Sequence, residues 1–161
     1  MQVIEQLKAM SDDRFHAIYQ SLENQGFGPL DGEVAKALKF RPHAIKKLPM
    51  EQRAKKARAL VMRTSNAELC YELFGSYLMR NCKDLVIDFL DETGVEHEDG
   101  MIENVDTAKP DASKLAGAIA KLDEKYNPQD VTLYLSMCVE QWPQVPEIES
   151  LWSLRPQEAH A

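Results

Sequence analysis

Apolar residues recur every three or four positions along most of this 161-residue chain, and that spacing narrows the choice of fold more than any motif does. A strand needs alternation at every second residue, whereas a helix of 3.6 residues per turn needs the spacing seen here. Phe15, Ile18, Tyr19 and Leu22 share one helical face, as do Met50, Ala54, Ala57 and Val61, and again Leu115, Ile119, Leu122 and Tyr126. No stretch alternates for long, and no Asn-Gly or Asp-Gly turn joins two β-branched runs. The pattern predicts an all-α protein, an irregular multi-helix bundle of about 8–10 helices.

Helix starts and stops punctuate that pattern. Ser11 is a cap for a helix reaching about Asn24, which Gly26, Gly28 and Pro29 then end. Asp31 can cap a short helix to about Leu38, with Pro42 and Pro49 bracketing another turn. A helix from Met50 to about Arg63 follows. Ser65 or Asn66 then opens one carrying Leu69, Cys70, Leu73, Phe74, Tyr77 and Leu78. That apolar arc spans about half the circumference, which predicts a central helix touching several neighbours. Lys83 to Glu92 is a further helix ended by Gly94, and Asp111 caps the next. Asn127 and Pro128 form a strong start signal, for a helix burying Val131, Tyr134, Leu135 and Cys138. A last short helix holds Ile148, Leu151 and Trp152.

One helical domain over 1–154 is the simplest organisation, with a polar tail over 155–161. Its alternative is a pair of subdomains, a basic 1–64 and an acidic 65–154, because the formal charge of −7 hides a marked asymmetry. From Val34 to Arg63 there are ten Lys or Arg and one acid, Glu51; from Asp84 to Asp111 there are ten acids and one Lys, Lys109. Blocks of this kind set local fields that the net charge does not describe.

The three cysteines, Cys70, Cys82 and Cys138, form no C-x-x-C pair and sit among apolar residues. They read as small hydrophobes in a reducing cytoplasm. Cys82, followed by Lys83, is the one thiol with a neighbouring base. No apolar run approaches the roughly 18 residues of a membrane span, and the N-terminus lacks the basic-then-apolar order of a secretory signal. No cofactor fingerprint is present: "GFGPLDG" has the wrong spacing for a dinucleotide loop, and there is no G-x-S-x-G elbow and no Walker lysine.

Three constellations remain. The segment from Thr93 to Pro110 is the longest without helical period and contains "GVEHEDGMIEN". His97 with Glu96, Glu98, Asp99 and Glu103 is the candidate metal set, or the seat of an enzyme's acid–base chemistry. Aligning Gly100 with the invariant glycine of an EF-hand puts Val95 and His97 where acids are required, which rules that motif out. One histidine among carboxylates is also a poor zinc set. A solvated acidic connector is the plainer reading.

Second, Asp84, Asp88 and Asp91 lie one turn apart on a single helix face, a repulsive arrangement that calls for a nearby positive charge. The basic helix with Arg53, Lys55, Lys56, Arg58 and Arg63 is the candidate donor. Third, the basic segment 36–63 is a candidate nucleic-acid surface. It has no aromatic residue between Pro42 and Arg63 for base stacking, and its bases surround the apolar stripe instead of forming one band. Trp142 and Trp152 flank a Pro-rich connector and should pack that end onto the bundle; a partly exposed tryptophan there would anchor a partner. The sequence therefore favours a small soluble interaction module, not an enzyme. Its expected partner is a protein or a second copy, recognised through the charge-segregated surface of Arg53, Lys55, Lys56, Arg58, Arg63, Asp84, Asp88, Asp91 and Trp142. Metal binding, catalysis and nucleic-acid binding are the competing classes.

Overall fold

A computed structural model describes residues 2–26, 47–63 and 67–156. Among them are eight α-helices: α1 (Gln2–Ala9), α2 (Asp12–Asn24), α3 (Met50–Val61), α4 (Ala67–Asn81), α5 (Lys83–Thr93), α6 (Leu115–Lys125), α7 (Pro128–Gln141) and α8 (Glu147–Ser153). A short 3-10 turn, Ala112–Lys114, leads into α6. The described residues contain no strand, only a single isolated β-bridge. The fold is all-α. The expected cap at Asp31, the helix to Leu38, the Pro42 turn and the cap at Ser65 or Asn66 all lie outside the described residues, as does the tail from 157.

The chain divides into two compact units, Ile4–Tyr77 and Leu78–Pro156 with Met1–Val3, and the boundary falls inside α4. In the first unit, the Ser11 side chain accepts from the Arg14 amide and starts α2. Burial of Phe15, Ile18, Tyr19 and Leu22 then turns the apolar face of α2 inward. The Phe15 and Tyr19 rings stack, with centroids 6.4 Å apart. α3 packs against α2 through Ala54, Ala57, Leu60 and Val61. Two small alanines let the helices approach closely, while each fully buried leucine or valine contributes roughly 1.5–3 kcal/mol of transfer free energy.

In the second unit α5 packs on α6, α6 on α7, and α8 on both α6 and α7. Phe89 meets Tyr134 edge to face, at 5.1 Å and 84°. The expected capping of α7 is present: Asn127 accepts from the Gln129 amide and Pro128 takes the first turn, where its missing N–H costs nothing. α7 is buried over eight consecutive residues, Val131 to Cys138. The sequence placed α4, with its broad arc, at the centre of a scaffold shared with the helices around Phe89, Leu122 and Leu135. α7 is the one enclosed on every side, because its two polar residues are satisfied within the helix. The Thr132 hydroxyl donates to Pro128 O at 2.8 Å, and that of Ser136 to Leu133 O at 2.6 Å. A polar side chain bonded this way can be enclosed without leaving an orphan donor.

Arg155, read from the sequence as the start of a polar tail, is fixed instead. Its guanidinium donates to both carboxylate oxygens of Asp123, at 2.9 and 2.6 Å, and its Nε to Thr132 Oγ1 at 2.7 Å. The forked geometry ties the end of α8 to α6 and α7.

Candidate functional site: the acidic loop after α5

The loop from Gly94 to Pro110 begins with a helix stop that the sequence dictates. Gly94 takes φ +74, a left-handed conformation that costs a residue without Cβ nothing. Its amide donates to Asp91 O, and the Val95 amide donates to Leu90 O at 2.8 Å. These two bonds make a Schellman motif, and Val95 and Leu90 are both buried beneath it.

The chain then doubles back. Glu98 and Met101 exchange both backbone hydrogen bonds at 2.9 Å, and Asp99 and Gly100 between them have φ +53 and +86. Two successive positive φ values define a type I′ turn, for which Asp-Gly is a favoured pair. Gly100 is buried, and a Cβ placed on it would meet Met79 Cε at 3.4 Å and Ile87 Cγ1 at 3.6 Å. The turn is therefore seated on α4 and α5. The sequence carried the signal, but without β-branched flanks it did not read as a hairpin.

His97 clasps this turn. Its Nδ1 accepts from the Gly100 amide at 3.0 Å and its Nε2 lies 2.7 Å from Asp91 Oδ1. Because Nδ1 accepts a backbone N–H, the ring hydrogen sits on Nε2 and donates to Asp91. Further along, Asn104 Oδ1 accepts from the Asp106 amide at 3.0 Å, and the Ala108 amide returns to Asn104 O at 2.9 Å. Trp142 Nε1 donates to Ala108 O at 3.0 Å, and the Asp111 amide closes the loop on Thr93 O at 2.9 Å. Asp111 then caps the 3-10 turn. The hydrogen bonds from the Ser113 hydroxyl and amide hold its carboxyl below the ordinary carboxylate range.

These contacts do not bring His97, Glu96, Glu98, Asp99 and Glu103 together as a ligand set. Both imidazole nitrogens are engaged within the loop and Asp99 pairs with Lys83. Among the described residues no group of three or more His, Cys, Asp or Glu side chains is arranged to hold a metal ion. Trp142 is corrected as an exposed anchor: its side chain is completely buried and supports the loop from beneath. Trp152 is buried as well.

Two acids of α5 have cationic partners on α6, and a third has the His97 imidazole. Asp88 accepts from Lys125 at 2.7 Å and from the Tyr126 hydroxyl at 2.5 Å. Those bonds, Lys125 first, hold the Asp88 carboxyl below its ordinary value. Asp91 accepts from His97, and Glu92 from Lys121 at 2.7 Å. Asp84 is exposed at the start of α5.

The basic residues of α3, with Arg63 just beyond its end, are divided in the same way. Arg58 donates to the carbonyls of Leu7 and Met10 and pairs with Asp12, so it closes the C-terminal end of α1. Arg53 pairs with Glu23 at 3.1 Å. Lys55 makes only an exposed pair with Glu51 one turn away, and Lys56 and Arg63 are exposed. Two of these five bases therefore face inward as structural groups. The rest of the basic segment, 36–46, lies outside the described residues.

Beside the loop is a concavity of about 680 Å³. Glu96, Glu98 and Glu103 rim it, and Met101, Ile102 and Ala108 supply its apolar lining. Met101 is 66% exposed and Val105 37%, unusual for large apolar side chains in a charged segment. Unlike Asp88, Asp91, Glu92, Asp99 and Asp123, the three rim glutamates have no ion pair or side-chain hydrogen bond among the described residues. Sequence reasoning found the acids here and missed the apolar lining. Its signal was "GMIENV", an apolar cluster inside a segment with no helical period.

Comparison with family models, with characterised proteins and with solved structures finds no match to this chain. Among the described residues, no helix is long and apolar enough to cross a membrane.

Proposed function

We propose that this chain is a protein-interaction module whose working surface is the acidic loop from Gly94 to Pro110. One observation carries the reading. A loop fixed by backbone, histidine and tryptophan clasps holds out three unpaired glutamates around an exposed methionine. A segment that only joined two helices would need neither the clasps nor the exposed apolar side chain. Long ordered loops on a rigid scaffold are where proteins commonly place recognition. Ordering before contact also lowers the entropic cost of binding.

The charge segregation of the sequence supports the same reading. Between 78 and 156 there are sixteen acids and seven Lys or Arg, so a negative field surrounds the loop and speeds encounter with a cationic partner. The three free cysteines, two of them buried, fit a reducing cytoplasm.

The test is site-specific photo-crosslinking from Met101 in cell extract, with mass spectrometry of the adducts. The reading expects discrete adducts that disappear when Glu96, Glu98 and Glu103 are all changed to Lys. Adducts unaffected by that charge reversal would contradict it.

A further inference from the structure

We infer that the concavity beside the acidic loop receives a cationic segment of a partner protein that carries an aliphatic side chain between its basic residues. The inference rests on the interaction-module reading and adds the chemistry of the ligand. Its two halves come from separate features of the site.

The rim sets the sign. Elsewhere in this unit Asp88, Glu92, Asp99 and Asp123 each meet a lysine or arginine of the same unit, which cancels their field locally. Glu96, Glu98 and Glu103 have no such counter-charge, so the potential over the concavity stays negative. A phosphate-bearing nucleic acid or an anionic lipid surface would be repelled there. Arginine or lysine from outside would gain charge-assisted hydrogen bonds without first displacing a resident partner. The lining sets the second half. Met101 and Ile102 face an opening that cations alone would leave unfilled. Methionine's unbranched, polarisable side chain adapts to aliphatic groups of differing shape. A purely ionic ligand would leave that apolar surface wet, whereas a Leu- or Ile-containing one would cover it and add the desolvation on which interface anchors depend.

The loop is suited to such a ligand because it does not have to order itself first. The Glu98–Met101 bridge and the His97 clasp hold the rim on a fixed backbone, and the Trp142 bond to Ala108 holds the far side. The side chains that would touch the ligand, Glu96, Glu98, Met101 and Glu103, are exposed and contribute nothing to the interior. They can therefore be changed without loss of the fold.

The experiment is a fluorescence-polarisation titration of the full chain with a labelled Lys-Lys-Leu-Leu-Lys-Lys peptide and its Lys-Lys-Ser-Ser-Lys-Lys counterpart. The inference expects the leucine peptide to bind about ten-fold more tightly than the serine peptide, the ratio left by one well-buried apolar anchor. Met101→Ser should remove that preference while leaving the weak serine binding. Glu96→Gln, Glu98→Gln and Glu103→Gln together should weaken both peptides and flatten the salt dependence. Equal binding of the two peptides, or an unchanged preference in Met101→Ser, overturns the inference. So does self-association of the unliganded chain that these same variants abolish, since the occupant would then be a second copy. If Met101 crosslinks a partner and neither peptide binds, the module reading survives and the ligand chemistry proposed for it fails.

Discussion

α3 and the loop after α5 are the most basic and most acidic parts of the described chain, and they use their charge in opposite ways. In α3 the two arginines nearest the helix's apolar face turn inward: Arg58 closes α1 and Arg53 meets Glu23. What is left outside is Lys55, Lys56 and Arg63, an ordinary solvated edge. In the loop it is the backbone that does the structural work, through a Schellman stop, a type I′ turn and an Asn104 turn. The glutamate side chains are thereby left uncommitted. Charge density alone does not mark a binding surface; charge that the fold does not need is the better indicator.

The largest effect expected on either side of this comparison comes from beneath the loop. Trp142→Ala should destabilise the protein by about 3–5 kcal/mol, through the cavity left by a fully buried indole and the loss of its bond to Ala108. Denaturant unfolding read by circular dichroism would measure it. A loss below 1 kcal/mol would mean that the loop does not depend on its support.

Next comes Arg58→Ala in α3, which removes the guanidinium donor from the Met10 carbonyl and one of two donors from that of Leu7, and should cost about 1–3 kcal/mol. Lys56→Ala, on the same helix but outside, should fall within about 0.5 kcal/mol of the parent. Equal effects would erase the distinction between structural and solvated bases. Gly100→Ala should cost about 1–2 kcal/mol, because alanine must adopt φ +86 and its methyl meets Met79 and Ile87. In the peptide titration it should also weaken binding by misplacing the rim.

A smaller effect concerns acid stability. The bonds from Lys125 and Tyr126 depress the Asp88 carboxyl in the folded state below its ordinary value of 3.8. Its contribution is therefore fully present above that value and is lost as the pH falls through 3.8 and then through the folded value. Asp88→Asn should flatten that part of the stability profile in an acid titration of the melting temperature and leave its shape near neutral pH unchanged. The smallest effect expected is from Glu98→Gln with Glu103→Gln. Thermal unfolding should shift by no more than about 0.5 kcal/mol in equivalent stability, since neither side chain has a partner to lose.

The helices were legible in the sequence because their signals are local. Ser11, Gly94 and Asn127–Pro128 act within a turn of where they stand, and the apolar faces of α2, α3 and α6 follow a fixed period. What was not legible depends on partners distant in the sequence. Thr132 and Ser136 look polar until their hydroxyls are seen bonded within α7, so the burial of that face was hidden although the apolar face around Leu135 was legible. Arg155 looks like a tail until Asp123 is found beside it. In the loop, the acids were visible as a cluster, but their significance lay in which of them remain unpaired. That depends on where Lys83, Lys121 and Lys125 are brought by the packing of α5 and α6. The apolar lining was hidden for the same reason, since Met101 and Ile102 have no period to announce them.

Backbone amide hydrogen exchange across Glu96 to Asp111, followed by NMR in the unliganded chain, most directly tests whether the loop is built before anything binds it. The account predicts slowed exchange at Glu98, Gly100, Met101, Ala108 and Asp111, whose amides are bonded within the loop or to its base, beside fast exchange at Glu103 and Val105. Uniform exchange at unstructured-peptide rates over the whole segment would contradict it, leaving an acidic tether in place of a recognition surface.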